Sequence, residues 1–173
     1  MGCGAVQPPP AIVDPFAILG LRRAWRVDQA AADGRYRELA RRVHPDRFAK
    51  APAVQRRMSL QWTAALNEAR RLLKDDVSRA RWLATGQAAS KEKGPRLDPA
   101  FLAEMFEWRE ADEERPGAMA ELAAAREQAL WTEIEAMFAS WEAGDGDLSL
   151  VDDRLARLKY VTGLRSEHGE HRR

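Results

Sequence analysis

Apolar residues return at three- and four-residue intervals through most of the chain, and no stretch sustains alternation, so the pattern predicts helices throughout and an all-α fold. Asp14-Pro15 reads as an N-cap and first helical position, with Phe16, Ile18 and Leu19 as a short apolar face and Gly20 as its end. Asp28 can cap a second helix to about Val43, in which Tyr36, Leu39 and Val43 form one buried stripe. A third helix starts near Pro52 and carries Val54, Met58, Trp62, Leu66, Ala69 and Leu73 as a long seam, so the second and third helices are expected to pair. A shorter helix, Ser78 to Thr85, carries Ala80 and Leu83 and ends at Gly86.

The pattern lapses over residues 87–97, which are polar and contain Gly94-Pro95, the composition of a linker. Asp98-Pro99 then repeats the cap-and-proline start. Three helices follow, broken at Arg115-Pro116-Gly117 and Gly144-Asp145-Gly146. Their apolar sets are Phe101, Met105 and Trp108; Leu130, Ile134, Phe138 and Trp141; and Leu148, Val151, Leu155 and Leu158. The organisation predicted is a disordered tail over 1–13 with Pro8, Pro9 and Pro10 in a row, a helical-hairpin unit over 14–86, a linker, and a three-helix bundle over 98–168.

Composition narrows the function by exclusion. Lys plus Arg number 28 against 27 for Asp plus Glu, a formal charge of +1, so no global field draws the molecule to nucleic acid or membrane. Cys3 is the only cysteine, which excludes an internal disulfide and a cysteine zinc site. Met1 to Val13 has no basic segment followed by an apolar run, and nothing approaches the ~20 apolar residues of a membrane span, so a cytoplasmic protein is expected.

The charge that exists is local. At about 100° per residue, Arg35, Arg37, Arg41 and Arg42 share the face of the second helix opposite its apolar stripe, with only Glu38 among them to oppose. Directly after that face comes His44-Pro45-Asp46, where Pro45 steers His44 out of helical angles and leaves two polar side chains on a rigid tip. Such a tip suits docking to a partner's backbone or arginine. The same tripeptide also serves as a plain helix break with Asp46 capping the next turn. A nucleophilic triad is disfavoured by the lack of a Gly-x-Ser-x-Gly turn or an internal cysteine, and His44 as a metal ligand lacks companions because His168 and His171 sit at the C-terminus.

In order and spacing these segments resemble a J-domain: Asp14-Pro15-Phe16-Ala17-Ile18-Leu19-Gly20-Leu21, Tyr36 to Phe48 around His44-Pro45-Asp46, and Leu66-Asn67-Glu68-Ala69-Arg70-Arg71-Leu72-Leu73. The resemblance implies that His44, Pro45, Asp46, Arg35, Arg37, Arg41 and Arg42 contact an Hsp70 near its interdomain linker and promote ATP hydrolysis on it, the chain itself being no enzyme. The continuation Ser78-Arg79-Ala80-Arg81-Trp82-Leu83, with Leu97 to Glu110 and Arg157-Leu158-Lys159-Tyr160, is similar to the Hsc20/HscB family. That resemblance implies service to iron-sulfur cluster assembly, with an HscA-type Hsp70 and an IscU-type scaffold protein as partners and no cofactor of its own.

Carried over by position, the scaffold-binding candidates are Leu102, Ala103, Phe106, Glu107, Glu110 and Tyr160. Ala103 is small where the family has a larger side chain, and Phe106 is aromatic where Leu is usual. From the residues alone, Leu102 and Phe106 widen the apolar surface of their helix beyond one contact, and Tyr160 projects nearly opposite Leu155 and Leu158 as an exposed aromatic. A helix packed between two neighbours also needs a wide apolar face. Two other readings stand beside this one: a J-domain co-chaperone for a different client, and a nucleic-acid binder using Arg35, Arg37, Arg41, Arg42, Arg56 and Arg57.

Overall fold

The computed structural model describes residues 7–10, 14–87 and 97–170, with side chains to Ser166. Among these residues there are seven α-helices and one 3-10 turn: α1 (Pro15–Ile18), α2 (Gln29–Val43), the turn Pro45–Phe48, α3 (Ala53–Lys74), α4 (Asp76–Thr85), α5 (Pro99–Glu114), α6 (Ala118–Ala143) and α7 (Val151–Glu170). Residue contacts divide the chain into two compact units, Met1–Arg79 and Ala80–Arg173.

In the first unit the caps start the helices where the sequence placed them. The Asp14 carboxylate accepts from the N–H of Phe16 (2.9 Å) and Ala17 (3.2 Å), and from Arg23. Partial burial pushes that carboxyl up, but the Arg23 guanidinium and the two amides outweigh it and hold it below its ordinary value. Asp28 caps α2 by accepting from Ala31 N–H at 3.0 Å. Helices α2 and α3 run antiparallel, zipped by polar contacts at successive levels: Gln29 to the Leu73 carbonyl (2.9 Å), Arg70 to Asp33 (2.8 Å), Tyr36 to Asn67 (2.6 Å) and Ser59 to the Val43 carbonyl (2.6 Å).

Two expectations need correction. Tyr36, Leu39 and Val43 are only half-buried, and the fully buried residue of α2 is Ala32. Likewise the seam of α3 is buried from Leu66 to Leu73, whereas Val54 is 48% exposed and Met58 and Trp62 are half-buried. The Ser59–Val43 bond explains Val54 and Met58: α2 ends opposite Ser59, so the first turns of α3 extend past its partner. The core of this unit is Phe16, Leu19, Trp25, Leu66, Ala69, Leu72 and Leu73.

Residues 7–10 are not free of the fold as a disordered tail would be: Trp62 donates its indole N–H to the Gln7 carbonyl at 2.6 Å, and Pro9 is half-buried. The remainder of the proposed tail, 1–6 and 11–13, lies outside the described residues, as do 88–96 of the proposed linker.

Arg79 closes the first unit. Its side chain is buried, donates to the carbonyls of Trp25 (3.0 Å) and Leu73 (2.7 Å), pairs with Asp76, and lies 4.6 Å from the Trp25 ring centroid. Helix α4 therefore changes allegiance midway, since Ala80 and Trp82 are buried residues of the second unit. The sequence places the division at 87–97 because Gly86, with φ 72, ends the helix; the contacts place it between Arg79 and Ala80.

The second unit packs α5 on α6 and α6 on α7. Asp98 caps α5 through Ala100 N–H (2.7 Å), and Asp112 staples the next turn by accepting from Gly117 (2.8 Å) and Met119 (3.1 Å). At the α6–α7 turn only glycine fits at 146, where a Cβ would stand 2.2 Å from the Trp141 nitrogen. Phe101, Met105, Trp108, Met119, Leu130, Ile134, Phe138, Val151, Leu155, Leu158, Val161 and Leu164 fill the core. Half-exposed ion pairs edge it, among them Arg154–Glu133 at 2.6 Å and Arg81–Asp152 at 2.8 Å.

Candidate functional site

The tip of the first unit is built by its own chain neighbours. Pro45 ends α2 by holding His44 at φ −56, ψ 131, extended rather than helical. His44 then caps the 3-10 turn: its Nδ1 accepts from the Asp46 N–H at 3.3 Å. That role requires the neutral ring's proton on Nε2, which leaves an N–H donor available to a partner. The Asp46 carboxylate lies 3.5 Å from Nδ1 with its side chain 90% exposed, an acceptor displayed to solvent. Arg47 reaches back to the Arg41 carbonyl at 3.2 Å, and buried Ser59 holds the Val43 carbonyl from α3. The docking and capping readings of the tripeptide are thus compatible, with His44 rather than Asp46 as the cap.

The basic face is less uniform than its sequence. Glu38 pairs with Arg42 at 2.6 Å and with Arg35 at 3.4 Å, so those two charges are partly neutralised within α2. Arg37 and Arg41, one turn apart, are exposed and have no side-chain partner among the described residues. The further basic groove on α3 is internally spent: Arg70 and Lys74 pair with Asp33, and Arg71 with Glu68. Arg56 donates to the Ala51 carbonyl.

On the bundle, α5 keeps Phe101, Met105 and Trp108 in the core and turns another face outward. Leu102, Ala103, Phe106, Glu107 and Glu110 share that outward face, spanning an arc of about 140° at 100° per residue. Leu102 is half-buried, while Phe106 is 64% exposed. An exposed aromatic flanked by two exposed carboxylates suits a partner with a matching apolar and basic surface.

Tyr160 corrects the sequence reading. It is half-buried, its ring edge-on to Phe101 with centroids 6.1 Å apart and planes at 72°. The periodicity of α7 locates the side that meets α6 but carries no information about the start of α5, which lies against Tyr160. Its hydroxyl has no hydrogen-bond partner among the described residues. Sequence reasoning also missed Ser59, visible only as a hydroxyl inside an apolar stretch, and Arg79, whose charge disguised a buried position.

No group of three His, Cys, Asp or Glu side chains gathers to hold a metal among the described residues, and His168 and His171 have no described side chains. No described helix is long and apolar enough to cross a membrane.

An antiparallel helix pair with His-Pro-Asp at its tip, followed by a three-helix bundle, defines a J-domain protein with a helical second unit. A family model described as the HSCB C-terminal oligomerisation domain matches residues 97–168. The co-chaperone protein HscB homologue of Bordetella pertussis is 43% identical over 121 residues, covering 67% of this chain and 71% of that one. That of Azoarcus sp. is 34% identical over 160 residues, covering 89% and 90%. The chain belongs to the HscB family of co-chaperones. Among solved structures, HscB from Vibrio cholerae matches with a TM-score of 0.65 at 26% identity over 91% of this chain and 96% of that one. Human HscB, at 24% identity, shares the fold with a TM-score of 0.73 over 96% and 86%.

Proposed function

We propose that this co-chaperone is an adaptor of the cytoplasm whose first unit stimulates the ATPase of an HscA-type Hsp70 while its bundle holds an IscU-type iron-sulfur scaffold protein. The observation that carries the reading is the tip: His44 and Asp46 are displayed beside two unpaired cations, Arg37 and Arg41, on a frame fixed from within. The nearby cations attract an acidic partner surface over about a Debye length, ~10 Å at 0.1 M salt, and the His-Pro-Asp groups then make the short-range bonds. Catalysis remains with the Hsp70. The chain contributes donors and acceptors that bind one conformation of its partner better than another, which is sufficient to shift a hydrolysis-competent population.

The bundle contributes the client. Phe106 offers a large exposed apolar contact, Leu102 and Ala103 widen it, and Glu107 and Glu110 rim it. The test is a binding titration with the scaffold protein, run beside a single-turnover ATPase assay of the Hsp70. Replacing Phe106 and Tyr160 together with Ala is expected to weaken scaffold binding by roughly 30-fold or more, as for truncation of aromatic anchors. Stimulation of the Hsp70 without scaffold should persist in that variant. Equal loss of both activities would refute the division of labour, and absence of scaffold binding by the wild type would refute the client assignment.

A further inference from the structure

Four side chains tie the start of α5 to the middle of α7. Asp98 uses one carboxylate oxygen to cap α5 at Ala100 N–H (2.7 Å) and the other to accept from Arg157 at 3.1 Å. The Arg157 side chain is 17% exposed; its Nε is buried and stands 3.0 Å from Asp153 of α7, an ion-pair contact outside hydrogen-bond geometry. Its guanidinium carbon lies 5.3 Å from the centre of the Phe101 ring, within cation–π range. Phe101 in turn presents to Tyr160 edge-on. Arg157 is thus the hub: it is held by two carboxylates, clamps one face of Phe101, and through that ring faces the side chain of Tyr160, three residues along its own helix.

We infer that Arg157 is a positioning residue for the client surface, fixing Tyr160 against Phe101, the residue before Leu102, without itself touching the client. The inference rests on the client reading above. Its physical basis is that Tyr160 is half-buried with an unbonded hydroxyl, so its place depends on packing against Phe101 rather than on a hydrogen bond of its own. Phe101 is 2% exposed, and Arg157 covers one side of its ring. An arginine does this where an aliphatic residue would not: its planar fork bonds Asp98 while its face stacks on the ring. The bridge also couples the α5 N-cap, and so the orientation of the first turn bearing Leu102, to the helix that bears Tyr160.

The experiment is a double-mutant cycle on the intact chain, with Arg157→Met, Tyr160→Ala and both together. It is read by the affinity for the apo iron-sulfur scaffold protein and by the aromatic proton resonances of Tyr160 in the free protein. Arg157→Met is expected to shift the Tyr160 resonances and to weaken binding roughly tenfold in the wild-type background but by less than about twofold once Tyr160 is Ala, the non-additivity of two residues acting as a unit. Arg157→Lys, which keeps a cation near Asp98 but loses the planar fork and its stacking face, guards against a folding defect and should give an affinity between those of the wild type and Arg157→Met. Additive losses, or unmoved Tyr160 resonances in Arg157→Met, would overturn the positioning role while leaving the client assignment intact. Failure of the wild type to bind the scaffold would be a failure of the client reading, recognisable because it precedes any substitution, and the inference would fall with it.

Discussion

At the tip of the first unit, the groups proposed to meet the Hsp70 lie between Arg35 and Arg47, and most of their geometry is set by near neighbours: Pro45 sets His44, His44 caps the turn at Asp46, and Arg47 bonds the Arg41 carbonyl. On the bundle, the proposed client face joins α5 to α7, with Tyr160 far from α5 in sequence and packed on Phe101, which Arg157 covers from one side. The tip is therefore expected to retain its shape when packing elsewhere is weakened, and the client face to lose its shape when one bridging residue is changed. Local assembly gives robustness; assembly across helices gives a surface that responds to its support.

The comparison is broken most severely at Arg79. Arg79→Met would strand the buried Trp25 carbonyl and leave the Leu73 carbonyl with Gln29 alone, while the exposed Asp76 carboxylate turns to solvent, at a cost to the first unit of about 2 kcal/mol. A urea titration followed by tryptophan fluorescence should show that loss. Stimulation of the Hsp70 per folded molecule should nevertheless stay near wild type at low temperature, because no part of the tip touches Arg79. An unchanged urea midpoint would contradict the buried role.

What was legible in the sequence divides along the same line. The helices and their starts could be read from Asp14, Asp28 and Asp98 with the following prolines or apolar stripes, because caps and periodicity are short-range signals. The tip could be read for the same reason. Glu38 was legible as the one acid among Arg35, Arg37, Arg41 and Arg42, but its pairing with Arg35 and Arg42, and so the lack of a side-chain partner at Arg37 and Arg41 among the described residues, needed side-chain positions. Tyr160 was misread as exposed, and the unit boundary was sought at Gly86 rather than beside Arg79. Both depend on which helix covers which flank, information that a period along one helix does not contain.

A smaller effect sharpens the account of the basic face. Arg37→Ala with Arg41→Ala should slow association with the Hsp70 by roughly three- to tenfold at low ionic strength, with the difference shrinking as salt rises. Arg35→Ala with Arg42→Ala should cost less, since Glu38 already offsets those charges. Stopped-flow association rates at two salt concentrations decide it, and equal slowing by the two pairs would show that the Glu38 contacts do not matter in solution.

The smallest effect concerns acid. The hydrogen bond from Arg70 holds the Asp33 carboxyl below its ordinary 3.8; some desolvation opposes this, and the charges of Arg70 and Lys74 reinforce it. A lowered folded-state value means the contribution to stability is present above about pH 4 and fades as pH falls through the lowered value. Asp33→Asn should flatten the pH dependence of the first unit's unfolding midpoint on the acid side and leave the bundle's unaltered. An identical acid limb in the variant would rule out this linkage.

The most direct test of the account is the steady-state ATPase rate of the HscA-type Hsp70, alone, with this protein, and with its His44→Gln variant. Stimulation by the wild type is expected, with loss of stimulation in the variant and an unchanged melting transition, because His44 is an exposed side chain outside the core. Stimulation by the variant equal to wild type, or none by either, would contradict it.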